Sequence, residues 1–462
     1  MSSLKLKNKL GYGFGDLANG LTFGMSSTFL LAFYTDVLGI TAVAAGTLFL
    51  VARIWDAVND PMMGALADKM FQRRLAKGKV GKNGRTDKFR PYLIKGSWPV
   101  VAAAILMFIA PGNLGATQKL IWAYATYITW GMAYTFINIP YGSLAAVMTQ
   151  DPVERSSLSV FRGLGGMIGG ISIRIVVPAM LIANAGNDAR GYLTAMIILG
   201  AVTLAGYIGS YFLTEETVKT KPEAAVAFSF KSTFSVLWKN RPFLAVSLAS
   251  IAMLTGLMVN GAMNIYYFRE VLGALELMGL TAVITLVPML TAAVVIPKLV
   301  KRYGTKKLSW FTSLTSAILM TILLILPSNP WIYIGMMLFA TLFLMIPNII
   351  VWGQVSDCID YNQYLSGSRQ EGVIYGAYSF MRKMGQAFAG FIAGAGLGLV
   401  GYVANAESQS PGTIAGIRLL TIGLPALAMF IAFLSYFFIW NLTPEKQAEV
   451  TAAISVKNEE KA

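Results

Sequence analysis

The sequence predicts an all-α membrane protein: twelve transmembrane helices in two six-helix halves. Three observations carry that reading. Of the 462 residues, 56% are hydrophobic and only 13% are charged, a balance outside the range of soluble globular domains. The apolar residues gather into runs of about 20 or more, the length a helix needs to cross the hydrocarbon core. A polar stretch at 214–242, from Thr214-Glu215-Glu216 to Asn240-Arg241-Pro242, divides those runs six and six.

In the first half (1–213) the predicted spans are 12–37, 42–67, 91–111, 119–148, 157–184 and 190–213. Span one is glycine-rich, with Gly11, Gly13, Gly15, Gly20 and Gly24, which suits close helix contact. Span two ends in a basic turn, Asp68-Lys69 to Arg73-Arg74, followed by a Lys/Arg/Gly-rich loop from Gln72 to Asp87. Pro140 is placed to kink span four. Asp151-Pro152-Val153-Glu154-Arg155 forms the turn into span five. After the 214–242 linker, the second half (243–441) gives spans 243–270, 277–300, 307–328, 331–356, 372–403 and 414–441, then a charged tail at 442–462. Span eight, like span two, ends in a basic turn, Lys298 to Lys307. That echo is what two parallel repeats about an axis along the membrane normal would give, with a binding cavity at mid-membrane between the halves.

The net charge is +15, but its distribution points away from nucleic acid. With a cytoplasmic N-terminus, Lys5, Lys7, Lys9, the run from Lys69 to Lys95, Arg155, Arg162, Lys219 to Arg241, Lys298 to Lys307 and Arg369 to Lys383 all fall on one side. The other side holds Lys119, Arg190, Arg269 and Arg418. The positive-inside rule then puts both termini in the cytoplasm. Cys358 is the only cysteine and there is no histidine, which excludes disulfide scaffolds, Cys/His metal sites and histidine acid–base catalysis. No cleavable signal peptide is expected. Without a nucleophile–base pair or a phosphate loop, an enzyme is not expected either.

The chemistry lies in polar residues inside the spans. Span two carries Arg53-Ile54-Trp55-Asp56-Ala57-Val58-Asn59-Asp60-Pro61. Asp56 and Asp60 are one turn apart and share a helix face, with Asn59 beside them. A charge at bilayer depth costs several kcal/mol, and two adjacent carboxylates repel. A proton or a bound monovalent cation (sodium, lithium) removes both problems, so the cluster reads as a coupling-ion site. Arg53 has two candidate partners, Asp56 and Asp36. In span one, Asp16 and Asn19 share a face; Asp16 reads either as a sugar-hydroxyl ligand or as a cap or structural partner. In span four, Thr135 offers a hydroxyl to a cation, and Asn138 can donate and accept to a hydroxyl-rich ligand. Glu154 and Arg155 read as a gate or cap, with Arg162 able to reach a cavity.

Span ten and its exit carry Trp352, Asp357, Asp360 and Tyr361, then Arg369-Gln370-Glu371-Gly372. Span eleven carries Tyr375, Tyr378, Arg382 and Lys383. Trp352 offers an apolar face for a pyranose ring, Tyr375 a further sugar contact, and Lys383 a bridge between ligand and cation site. Asp357, Asp360, Arg369 and Glu371 read as a cytoplasmic salt-bridge cluster closing an inside gate, with Asp68, Asp36 and Arg53 as further gate or ion-pair residues.

Gly11-Tyr12-Gly13-x-Gly15-Asp16, Tyr34-Thr35-Asp36, Asp56-x-x-x-Asp60-Pro61, Lys88-Phe89-Arg90-Pro91, Asn138-Ile139-Pro140-Tyr141, Asp151-Pro152-x-x-Arg155 and Asp360-Tyr361 with Arg369-x-Glu371-Gly372 resemble, in this order, the glycoside–pentoside–hexuronide:cation symporters of the major facilitator superfamily. The resemblance spans nearly the whole chain. It implies uptake of a glycoside across a bacterial inner membrane, driven by sodium or protons and without a cofactor, by a monomer or weak dimer. It puts the family's cation site on Asp56, Asn59, Asp60 and Thr135, its span-five arginine on Arg162 and its span-eleven lysine on Lys383. Two positions depart from the melibiose permease branch, where aspartates stand in place of Gly20 and Asn138. The text around Asn138 and Asn240-Arg241-Pro242 is closer to the xyloside (isoprimeverose) and glucuronide carriers. The expected cargo is therefore a pentoside such as a xyloside, with a glucuronide as alternative. A lipid carrier and a non-transporting sugar sensor are the remaining alternatives.

Overall fold

The structure is a computed structural model, described here for residues 4–78, 87–149, 152–185, 188–217, 238–366 and 371–459. The chain forms two compact units, residues 1–225 and 226–462. The expected linker 214–242 lies largely outside the described residues, as does half of the basic loop after span two.

Among the described residues, the first unit holds six α-helices: α1 Leu6–Ala32, α2 Ala42–Ala76, α3 Arg90–Met107, α4 Ala116–Met148, α5 Pro152–Ala183 and α6 Asp188–Leu213. The second holds α7 Arg241–Tyr266, α8 Met278–Ile325, α9 Pro330–Ser366, α10 Glu371–Leu399, α11 Pro411–Arg418, α12 Leu424–Leu434 and α13 Pro444–Glu459. α8 is two arms rather than one rod: Gly304 has φ 74° and ψ 161°, a backbone open to glycine and strained for other residues, and it separates predicted spans eight and nine. A π-turn, Leu419–Gly423, joins α11 to α12 within the apolar run Pro411–Ile439. Six spanning arms per unit thus follow the predicted order. By length and composition, seven runs among the described residues are apolar enough to cross a membrane. α13 was not anticipated: the sequence reads there as a charged tail, and the helix forms because its polar side chains dock onto α9.

The opening helix of each unit leaves in the same way. Phe33-Tyr34-Thr35-Asp36-Val37-Leu38-Gly39 and Tyr267-Phe268-Arg269-Glu270-Val271-Leu272-Gly273 each widen into a π-turn and stop on a glycine with φ of 76° and 59°. The Ile40 N–H donates to the Tyr34 carbonyl at 3.0 Å, and the Ala274 N–H to that of Phe268 at 2.9 Å, satisfying carbonyls the helix end would orphan.

Inside the first unit, α1 lies against α5 almost backbone to backbone. A Cβ on Gly165 would sit 2.0 Å from the Gly13 carbonyl oxygen, so only glycine fits this crossing, as small-residue membrane packing requires. The opposite face of α5 turns Val160, Ile168, Ile175 and Ile182 outward, an apolar stripe suited to lipid. The core beside α1 is aromatic: the rings of Phe33, Phe108 and Tyr192 pack together, as do those of Tyr34, Phe49, Tyr127 and Trp130.

A short segment after α6 ties the ends of this unit. Glu216, buried, accepts the N–H groups of Lys88 (2.8 Å), Phe89 (2.7 Å) and Arg90 (2.8 Å) at the start of α3. Those are donors that a helix N-terminus leaves without partners. Glu215 pairs with Lys7 of α1 at 2.8 Å. Thr217 bonds the carbonyls of Val147 and Met148 at the end of α4. Arg74 of α2 donates to the carbonyls of Asp87 and Lys88.

Candidate functional site

Helices α2 and α4 bring the predicted ion-site residues together. Asp56 and Asp60 face α4 at two levels one turn apart. A Cβ on Gly131 would lie 3.4 Å from Asp56 Oδ1, and one turn on, the Thr135 hydroxyl donates to Asp60 Oδ1 at 3.2 Å. Asn59 and Thr135 are each 4% exposed, and among the described residues Asn59 Nδ2 has no hydrogen-bond partner. A buried amide left in that condition costs free energy. Arg53 donates to Asp56 Oδ2 at 3.0 Å and lies over the Phe23 ring of α1, 5.1 Å from its centroid. Of its two candidate partners, the structure shows it bonded to Asp56. Phe23, Tyr134 and Trp130 stack in sequence behind it. Asp36 is buried at the π-turn and accepts from the Thr35 hydroxyl at 2.8 Å.

A second polar group lies between α1, α4, α5 and α6. Asp16 Oδ1 accepts from Arg162 Nε at 3.1 Å. The aspartate stands well inside α1, so it is a paired residue and not a helix cap. Its other oxygen would be 2.7 Å from a Cβ on Gly166, so the carboxylate lies close against α5. The Arg162 guanidinium lies over Tyr141, which stacks on Tyr12 and donates to the Tyr12 carbonyl at 2.6 Å. Arg162 keeps 40% of its side chain exposed and Asp16 20%, so the pair can reach a ligand without being broken. Asn19 is buried and accepts from the buried Tyr207 hydroxyl at 2.7 Å. Asn138 is half-buried on α4, one turn beyond Thr135. Glu154, in the first turn of α5, pairs with Lys9 of α1 at 2.8 Å.

In the second unit, Trp352 on α9 is 45% exposed and meets the Tyr378 ring of α10 edge-on at 5.5 Å. The Arg382 guanidinium lies 5.3 Å from the Trp352 centroid and donates to the Tyr378 hydroxyl at 3.4 Å, while that hydroxyl is 3.0 Å from Ser250 Oγ. The stacking of Arg382 on Trp352 is the feature sequence reasoning missed; the available signal was an Arg and a Tyr one turn apart on α10. Lys383 is half-buried beside it. The shown partner of Asp357 comes from the unanticipated α13: Gln447 Nε2 donates to Asp357 Oδ1 at 2.7 Å. Asp360 is half-buried one turn further along α9. Arg369 and the side chains of Asp68, Arg155, Glu371 and Tyr375 lie outside the described residues.

Comparison with known proteins decides the family. The model of the MFS/sugar transport protein family matches residues 11–443. The chain belongs to that family. It is 35% identical to the symporter YjmB of Bacillus subtilis (strain 168), over 98% of this chain and 96% of the relative. It is 31% identical to the glucuronide carrier protein homolog of Escherichia coli (strain K12), over 98% and 96%. A crystal structure of a D-xylose–proton symporter superposes with a TM-score of 0.62 at 16% identity, over 95% of this chain and 98% of the other, a likeness of fold. The chain is therefore a sugar or glycoside symporter of the MFS type, a multi-pass membrane transporter and not an enzyme. Its ligands are a small molecule and a coupling cation.

Proposed function

We propose that this family member imports a pentoside such as a xyloside, coupled to sodium or a proton that binds Asp56, Asn59, Asp60 and Thr135. The Thr135–Asp60 bond carries the reading: it joins one of the two α2 carboxylates to a hydroxyl of α4, next to buried Asn59 and one turn from Asp56. A monovalent cation would draw the two carboxylate oxygens, the Asn59 oxygen and the Thr135 hydroxyl into one shell, and its charge would offset their repulsion. A proton would neutralise one carboxylate to the same electrostatic end.

The sugar would be held in the first unit by Asn138 and Arg162, with Asp16 positioning Arg162, and in the second by Trp352 and Lys383. The proposed cycle is alternating access in the inner membrane, with both termini cytoplasmic, helix halves 1–213 and 243–441, the linker 214–242 and the tail 442–462. One charge crossing a potential of about 150 mV releases about 3.5 kcal/mol, enough for accumulation of about several hundredfold at ~1.4 kcal/mol per decade.

A second reading, a hexuronide cargo, is favoured by the Arg382 guanidinium against exposed Trp352: a stacking face with a cation beside it suits a sugar carboxylate. The name of the E. coli relative points the same way. Counterflow in proteoliposomes with a xyloside, a galactoside and a glucuronide, each with and without sodium, separates cargo and ion. In the same vesicles Asp56→Asn and Asp60→Asn should abolish cation-driven accumulation while retaining exchange; full concentrative uptake by either variant overturns the ion assignment.

A further inference from the structure

The break at Gly304 opens a cavity of about 320 Å³ between the turn of α8 and the start of α13, lined by Thr305, Lys306, Lys307, Trp310, Thr443 and Gln447. We propose that this cavity binds a phosphate group at the membrane surface. Lys298, Lys301, Arg302, Lys306 and Lys307 crowd one turn, and no Asp or Glu occurs between Glu276 and Asp357. Among the described residues neither Lys306 nor Lys307 forms an ion pair; Lys307 lies 5.9 Å from the Tyr303 ring centroid, the same ring that Arg302 covers at 5.3 Å.

On the α13 side two lining residues each hold a carboxylate, Asp357 on Gln447 and Glu445 on Thr443, so the positive charge of the cavity comes from the α8 side alone. Gln447 is spent on Asp357, and the Thr443 hydroxyl accepts the Lys446 N–H at 3.3 Å and bonds Glu445, which is fully exposed. Gly304, non-helical, stands just before the second arm of α8, whose first turn presents backbone N–H groups without intrahelical acceptors. Two lysines in a concavity with such a turn suit a phosphate better than a carboxylate, because they deliver charge without the bidentate fork of arginine.

Both arms of α8 are apolar, so their turn sits at a membrane face, where phospholipid phosphates are the densest anions, and Trp310 is an aromatic of the interfacial kind. The phosphate can come from a lipid headgroup or from solution. The test is native mass spectrometry of the full chain released from nanodiscs, wild type against K306Q/K307Q and against K298Q/K301Q, which lies off the cavity. The probes are phosphatidylglycerol, phosphatidylcholine and inorganic phosphate. At about 1 kcal/mol per lysine near an anionic lipid, K306Q/K307Q should retain phosphatidylglycerol about thirtyfold less tightly. K298Q/K301Q should change it less than threefold, and phosphatidylcholine should not respond. Retention of inorganic phosphate alone, lost in K306Q/K307Q, supports the site with a soluble source. Equal retention of every probe by wild type and K306Q/K307Q overturns the proposal, as does an equal loss in both variants.

Discussion

Replacing Glu216 tests how the first unit is held at its helix ends. The carboxylate takes three backbone N–H groups at 2.7–2.8 Å from the first residues of α3. A hydrogen bond to a charged group contributes about 1.5–3 kcal/mol, and burial of the carboxylate offsets part of the sum. Glutamine keeps one acceptor oxygen, which receives Phe89 and Arg90, but turns its amide N–H₂ toward the Lys88 N–H, donor against donor. Glu216→Gln should therefore cost about 1–2 kcal/mol and Glu216→Ala, which strands all three donors, about 2–4 kcal/mol. Burial pushes the Glu216 carboxyl above its ordinary value of 4.5, with the three N–H bonds pulling the other way. A raised folded value means that the contribution is full below 4.5 and is lost as pH rises through the folded value. The melting-temperature gap between wild type and Glu216→Gln in detergent should then widen as pH falls from neutral toward 4.5. A Glu216→Gln protein as stable as wild type, or a gap that narrows with acid, would refute the reasoning.

Three further outcomes follow from contacts in the first unit. Arg162→Gln and Asp16→Asn should each lower stability by about 1–2 kcal/mol, a figure held down by the partial exposure of the pair; the double variant should recover part of the loss, and a strictly additive melt of the double variant counts against the pairing. Gly165→Ala drives a Cβ to within 2.0 Å of the Gly13 carbonyl oxygen, whereas Gly163 has nothing within 4 Å; the first should cost about 3 kcal/mol or more and the second should melt like wild type. Thr135→Ala should raise the sodium concentration for half-maximal uptake by about tenfold, the equivalent of one bond to a charged group, with proton coupling affected less; Thr135→Ser should restore it, and an unchanged sodium response removes Thr135 from the site.

The ion half of the site was legible because its cost is written into one helix. Asp56 and Asp60 sit one turn apart in an apolar run, and no reading of that run avoids asking what neutralises them. The α4 partner, Thr135, was read from the residues as a hydroxyl open to a cation and tied to the cluster by resemblance, since the spacing of α4 alone does not show which helix it meets; the 3.2 Å bond to Asp60 is what ties the helices. Asp16 shows the opposite case. Its pairing with Arg162 depends on glycines at 13, 165 and 166 letting α1 and α5 touch, and a sequence shows the glycines without showing which ones meet. α13 was missed for a related reason: its polar face finds its partners, Asp357 and Tyr364, on another helix, so no apolar period announces it.

The matched exits of α1 and α7 carry the repeat further than the basic turns after spans two and eight. Charge at a membrane face is selected by topology, and two basic turns on one side would arise in any protein obeying the positive-inside rule. An aromatic pair, an acid two residues later, then Val-Leu-Gly with the glycine at positive φ is a demand of backbone geometry instead. The π-turn needs an extra residue in the last turn, and the helix then stops where only glycine adopts the left-handed conformation without strain. The two acids at these exits have diverged in company: Asp36 is buried and takes the Thr35 hydroxyl, while Glu270 takes Arg269 at 3.0 Å. The scaffold of the two units has thus been kept where the backbone is constrained, while the polar residues they carry have separated, carboxylates and a hydroxyl in the first unit and a stacked Trp–Arg pair in the second.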